Sequence, residues 1–110
     1  MAFESSVAVQ QSDDHVEFAL QVENASEAEA NLTFRSGLSA DFAVLEDGEE
    51  IWRASDGQMF TQALRTESFD AGETKVYPAA WDDARPGDYT VVATLEVQEE
   101  DVEARAEFSV

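Results

Sequence analysis

Apolar and polar residues alternate with a period of two along most of this chain. Val16, Phe18, Leu20 and Val22 fall on one side of an extended backbone, with Glu17, Gln21 and Glu23 on the other. Ala30, Leu32 and Phe34 repeat the pattern. So do Tyr89, Val91, Ala93, Leu95 and Val97, and then Val102, Ala104, Ala106, Phe108 and Val110. Successive side chains of a strand point to opposite faces, so this alternation marks half-buried antiparallel strands. The pattern predicts strands near 3–11, 15–24, 28–36, 41–46, 49–54, 66–70, 73–79, 87–98 and 101–110. A helical period extends over no useful length, and only residues 59–65 suit a short helical turn.

Turn chemistry separates these strands. Ser36-Gly37, Asp47-Gly48, Asp56-Gly57, Ala71-Gly72 and Pro86-Gly87 are spaced 9 to 15 residues apart, room for a strand or a strand and a loop. Short strands with turns at this spacing predict an all-β fold, an immunoglobulin-like antiparallel β-sandwich. At 110 residues the chain is expected to form one domain over 1–110. Pro78 has no N–H for a ladder, which places its strand at an edge or a bulge. Tyr89, just past Pro86-Gly87-Asp88, fits a tyrosine corner, whose hydroxyl ties down a neighbouring loop.

One stretch departs from the pattern. Trp52, Met59 and Phe60 crowd around the turn Ser55-Asp56-Gly57-Gln58. So much bulky apolar surface either plugs a core or faces a partner. A two-residue type I′ turn at Asp47-Gly48 pairs Val44 with Ile51 and Ala43 with Trp52. Phe42, Val44 and Ile51 then share one face, and Leu45 and Trp52 the other. Both faces are apolar, and the loop 55–64 is the natural cover for the second.

Charge narrows the partners. The 25 acidic and 6 basic residues give a net charge of −19, and Lys75 is the only lysine. Nucleic acid is excluded, because binding it needs cations to displace counterions. Anionic membrane surfaces repel the chain for the same reason. Disorder is excluded by the 44% of apolar residues and their regular alternation. The composition resembles proteins of salt-in halophiles, haloarchaea in particular. At about 1 M salt the Debye length is roughly 3 Å, so like charges stop repelling across the surface.

Little points to catalysis, a cofactor or a metal. Without cysteine there is no disulfide, thiolate ligand or thiol nucleophile. His15, the only histidine, follows Asp13-Asp14 and reads as a surface residue before a strand. Asp13-Asp14 and Asp82-Asp83 lack the spaced ligands of a calcium loop. No phosphate-binding glycine loop or nucleophile elbow occurs. Two glycosylation tripeptides, Asn24-Ala25-Ser26 and Asn31-Leu32-Thr33, match a common pattern. No apolar run is as long as a spanning helix, and Met1-Ala2-Phe3-Glu4-Ser5 is unlike a signal peptide, so a cytoplasmic location is expected. The default oligomeric state is a monomer.

A family resemblance joins these parts. Asn24-Ala25-Ser26 closes a strand, followed by Leu32-Thr33-Phe34-Arg35-Ser36-Gly37, Asp41-Phe42, Gly48 and Trp52-Arg53. Next come Ser55-Asp56-Gly57-Gln58-Met59-Phe60-Thr61-Gln62-Ala63-Leu64, Ala71-Gly72-Glu73-Thr74, Trp81-Asp82 and Pro86-Gly87-Asp88-Tyr89-Thr90-Val91. In this order they resemble the BsuPI family of intracellular proteinase inhibitors, over about 16–97. The resemblance implies an immunoglobulin-like sandwich that inhibits a subtilisin-like serine protease and is not an enzyme. Its candidate contacts are Gln58, Met59, Phe60, Thr61 and Gln62, with Trp52 as their packing anchor. Relatives often carry a second aromatic where this chain has Ala54-Ser55 after Trp52-Arg53, so that contact has no counterpart here. The competing function is a non-inhibitory interaction module, recruiting a chain by strand addition near residues 75–79.

The charge balance carries a prediction. Moving the protein from molar salt to about 50 mM should lower its melting temperature markedly, because the Debye length then exceeds about 10 Å and the carboxylates repel one another. Circular dichroism melts across a salt series check this; a salt-independent midpoint would contradict it.

Overall fold

Nine strands follow from the alternating segments, and a computed structural model describes them over residues 3–82 and 84–110. Asp83, half of one acidic pair, and the Met1-Ala2 start lie outside the described residues. The strands are β1 (Phe3–Gln11), β2 (His15–Asn24), β3 (Ala30–Phe34), β4 (Ala40–Glu46), β5 (Glu49–Arg53), β6 (Arg65–Phe69), β7 (Thr74–Asp82), β8 (Asp88–Leu95) and β9 (Val102–Ser109). No helix occurs among the described residues; 59–64 are irregular rather than a helical turn, and Arg65 begins β6.

All ladders are antiparallel. One sheet has the order β1-β2-β7 and the other β5-β4-β8-β9, while β3 pairs with β6. A bridge from Phe34 to Val97 ties that small ladder to the chain after β8. The inward residues predicted by the alternation form the core: Val16, Phe18, Leu20 and Val22 of β2 face Phe42, Val44, Val91, Ala93 and Leu95. The result is an immunoglobulin-like β-sandwich. Pro78 lies on β7, at the edge of its sheet, where a missing N–H is tolerated.

The two long sides of the sandwich differ. On one, β1 runs beside β9: Ser5 Oγ donates to the Glu103 carbonyl, and Gln11 Nε2 to that of Ser109. On the other, β5 and β7 are edge strands, and aromatic rings fill the opening. Trp52 of β5 lies 6.2 Å from both Phe18 of β2 and Trp81 of β7, centroid to centroid. Trp81 meets Tyr89 edge-on at 5.0 Å, and Phe108 packs 5.5 Å from Phe18. The Tyr89 hydroxyl donates to the Arg85 carbonyl at 2.7 Å, completing the tyrosine corner. A Cβ on Gly87 would stand 3.0 Å from that hydroxyl, so the corner needs glycine there.

The β4–β5 hairpin corrects the expected register. Asp47 and Gly48 adopt φ 52° and 81°, as a type I′ turn requires, and Leu45 pairs with Glu50. Beyond that point a bulge intervenes, so Val44 pairs with Trp52 and Ala43 with Arg53. Ile51 is the extra residue and is exposed. A one-residue slip exchanges the faces of a strand. It turns Trp52 inward beside Phe42 and Val44, partly burying the larger side chain. The second apolar face therefore does not exist as expected, and the loop 55–64 does not serve as its cover.

Two substitutions test this frame. Phe18→Ala should cost about 3–5 kcal/mol, since Phe18 is fully buried at the junction of both sheets. Tyr89→Phe should cost about 1 kcal/mol, the net worth of one hydrogen bond. Denaturant unfolding measures both, and a larger loss for Tyr89→Phe than for Phe18→Ala would reverse the proposed hierarchy.

Candidate functional site

The inward turn of Trp52 decides where the chain goes next. Arg53, on the opposite face, reaches Asp41, and Ala54 N–H makes a last bond to the Phe42 carbonyl at 2.9 Å. The chain then curls. Asp56 N–H donates to Arg53 O and Gln58 N–H to Ser55 O, both at 3.2 Å, while Gly57 takes φ 74°. The Gln58 side chain folds back to donate to Ala54 O at 3.1 Å.

Asp41 holds the start of this curl. It is 5% exposed, and three of the four donors around its carboxylate belong to the loop or its stem. Oδ1 accepts from the N–H groups of Phe42 at 2.9 Å and Ser55 at 3.1 Å. Oδ2 accepts from Ser55 Oγ and Arg53 Nη1, each at 2.8 Å. A buried carboxylate is tolerated when it is so fully hydrogen-bonded. Glu50 Oε1, 2.6 Å from Arg53 Nη2, and then Asp41 hold the guanidinium even more firmly in its charged form.

The far end of the loop is pinned to β3–β4. Gly37 N–H donates to Thr61 O at 2.9 Å. A Cβ on Gly37 would lie 3.0 Å from Thr61 Oγ1 and 3.9 Å from Phe60 Cβ, so the approach depends on a small residue there. Between the two pins, Gln58 and Phe60 line a groove of about 660 Å³, while Met59 does not. Phe42, Trp52, Ala54 and Ala79 also line it, so it lies on the outer side of the aromatic filling between β5 and β7. Neighbours in an extended chain point opposite ways. Met59 accordingly projects into solvent, 98% exposed.

The candidate residues thus separate. Gln58, Met59, Phe60, Thr61 and Gln62 form one continuous surface segment, Phe60 being half-buried. Trp52 meets that segment only at the groove and otherwise packs inward. Asp41, Ser55 and Gly37 stand among the family motifs, but the sequence alone assigned them no role at the site. Asp41 is legible in hindsight, as an acid immediately before the apolar Phe42-Ala43-Val44 run.

Other candidates recede. His15 Nδ1 lies 2.7 Å from Asp14 Oδ1, and this hydrogen bond raises the imidazole pKa above its usual range. No group of three or more His, Cys, Asp or Glu suited to a metal occurs among the described residues. No helix among them is long and apolar enough to cross a membrane. Asn24 is fully buried, its amide donating to the carbonyls of Ala28, Phe69 and Asp70, so it is unavailable as a glycosylation acceptor.

The family profile described as BsuPI, intracellular proteinase inhibitor, matches residues 3–100. The chain belongs to the BsuPI family. BsuPI proteins are inhibitors rather than enzymes. No curated protein matches this BsuPI chain. Among solved structures it is similar to a CARDB domain from Pyrococcus furiosus, solved in complex with di-metal ions. That match has 18% identity and a TM-score of 0.53, covering 98% of this chain and 91% of that one. The sporulation control protein Spo0M from Bacillus subtilis matches at 12% identity and TM-score 0.55, over 100% of this chain and 49% of its own. A β-glucosidase from Kluyveromyces marxianus matches at 14% and 0.53, over 98% of this chain and 14% of its own. At such identities the likeness is one of fold alone.

The His15–Asp14 pair gives a signed pH effect. A raised folded-state pKa means that its stabilisation is fully present below the unfolded imidazole pKa. It is lost as pH rises through the folded value. An NMR titration should find His15 above the usual imidazole range, and Asp14→Asn should lower it; an unmoved midpoint would show that Asp14 is not the cause.

Proposed function

We propose that this BsuPI protein inhibits a subtilisin-like serine protease by presenting Met59 to the protease cleft. Gln58, Phe60, Thr61 and Gln62 supply the flanking contacts, and Trp52 anchors the stem. The observation that carries this reading is Met59 itself, 98% exposed on a segment hydrogen-bonded to the body on both sides. Tight inhibition by a loop needs its conformation set before binding, because ordering side chains and backbone on contact opposes affinity. The bonds at Ser55, Gln58 and Thr61 do that without a disulfide.

The chemistry of the segment fits an apolar cleft. Methionine is unbranched and polarizable, and adapts to irregular apolar pockets. Residues 57–64 carry no charge, although the chain carries 25 acidic residues. Docking there strips no carboxylate of its water, which would be costly without a partner. An extended backbone on either side of Met59 can pair with a strand of the protease.

On the same reading, residues 1–110 act as one inhibitor domain, a monomer needing no cofactor. The sparse lysine and acidic surface support a place in the cytoplasm of an organism that accumulates salt, with haloarchaea the best match. A second reading draws support from β7, an edge strand with Val76 54% exposed: a non-inhibitory module that adds a partner's strand.

Met59→Asp separates the two. It should weaken inhibition of a subtilisin-like protease by about 30- to 1000-fold, the range for losing a central contact residue. The folding stability should change by less than about 0.5 kcal/mol, since the side chain touches almost nothing. Inhibition constants and thermal melts on the same samples decide. Undiminished inhibition would move the contact away from this loop, and binding lost only in Val76→Pro would favour strand addition.

A further inference from the structure

We infer that Asp41 is the positioning residue of the Met59 loop, and that it acts through Ser55 rather than through its ion pair with Arg53. The inference rests on the inhibitory reading above. Asp41 is the only buried charged side chain among the described residues, and it lies on β4, outside the loop it serves. Its two oxygens take both available donors of Ser55, the backbone N–H on Oδ1 and the hydroxyl on Oδ2. Ser55 opens the turn, and its own carbonyl receives Gln58 N–H. One carboxylate thus fixes the residue from which the direction of Met59 follows.

Arg53 plays a lesser part in this clasp. Its side chain is 38% exposed and is shared with Glu50, so much of its pairing is in water. Removing it leaves all the bonds between Asp41 and Ser55 in place. Removing the Asp41 carboxylate leaves Ser55 with two unmatched donors, free to rotate the curl. A loose loop exposes its backbone to attack as a substrate, so the protein should then be cleaved near Met59 by the protease it otherwise blocks.

The test compares D41A, S55A and R53Q in the full chain. Hydrogen exchange by NMR follows the amides of Ser55, Gln58 and Gly37 against those of β2 and β8. In parallel, subtilisin is assayed for inhibition and for cleavage of the loop. In D41A the loop amides should exchange about tenfold faster or more while the strand amides hold, and inhibition should weaken by a similar factor with cleavage near Met59. R53Q should move both by less than about threefold. Unchanged loop exchange in D41A, or equal effects of R53Q and D41A, would overturn the inference. Should D41A not fold, S55A decides: faster loop exchange with intact strands supports the clasp, and no change rejects it. Should the wild-type chain fail to inhibit, the inhibitory reading falls, while the exchange measurements still decide the role of Asp41.

Discussion

The inward turn of Trp52 is the constraint on which the rest depends. A sandwich whose sheets meet along β1 and β9 is left open along β5 and β7. Without a large side chain, that opening would leave Phe18 and Phe42 facing water. Trp52 fills it by packing between Phe18 and Trp81, so the edge strand of one sheet is held to both strands of the other that approach it. Aromatic pairs at such distances contribute about 0.5–1.5 kcal/mol each beyond the area they bury. The bulge at Ile51 is what allows it, at the expense of leaving Ile51 exposed. Once Trp52 is fixed, alternation places Arg53 on the outer face above Asp41, and the course of the following loop is set.

Buried polar side chains do the corresponding work for the loops. Among the described residues only Asn24 and Asp41 are buried and polar or charged. Each is hydrogen-bonded through its polar atoms, which is the condition for leaving water without a large penalty. Asn24 gathers the turn after β2 and the turn between β6 and β7, since its amide donates to Ala28, Phe69 and Asp70 while its oxygen accepts from Ser26. Asp41 does the same at the other end for the chain leaving β5. The other described carboxylates stay partly or wholly in water, where the charge of −19 is tolerable with salt present.

The strands were legible because burying one face imposes a local period of two, and every predicted strand is present within a few residues of its expected ends. The tyrosine corner was legible for a similar reason, in that Pro86-Gly87-Asp88-Tyr89 is a local signal. The hairpin register was not. Whether Ile51 or Trp52 occupies the core is a competition decided by the size of the opening left by β2 and β7, distant in sequence. The role of Asp41 escaped notice for the same reason: its side-chain partners Arg53 and Ser55 lie 12 and 14 positions along the chain. The exposure of Met59 had no periodic signature, because the loop has no repeating face. It follows from the local pin of Gln58 on Ala54 and Ser55 together with the pin of Thr61 on Gly37, which requires the folded β3–β4 connection.

The sandwich itself says little about function, since the same architecture recurs at 12–18% identity in a CARDB domain, a sporulation control protein and a β-glucosidase. This chain also carries a large apolar side chain, Met59, that folding leaves exposed. A groove of about 660 Å³, lined by Phe42, Trp52 and Phe60 but also by Arg53, Asp56 and Asp82, lies beside a methionine that stays in water. Gln58 and Phe60 face the groove instead, and the hydrogen bonds at Ala54 and Gly37 prevent the half-turn that would exchange them with Met59. The fold thus holds the Met59 side chain in water on a loop that is pinned at both ends.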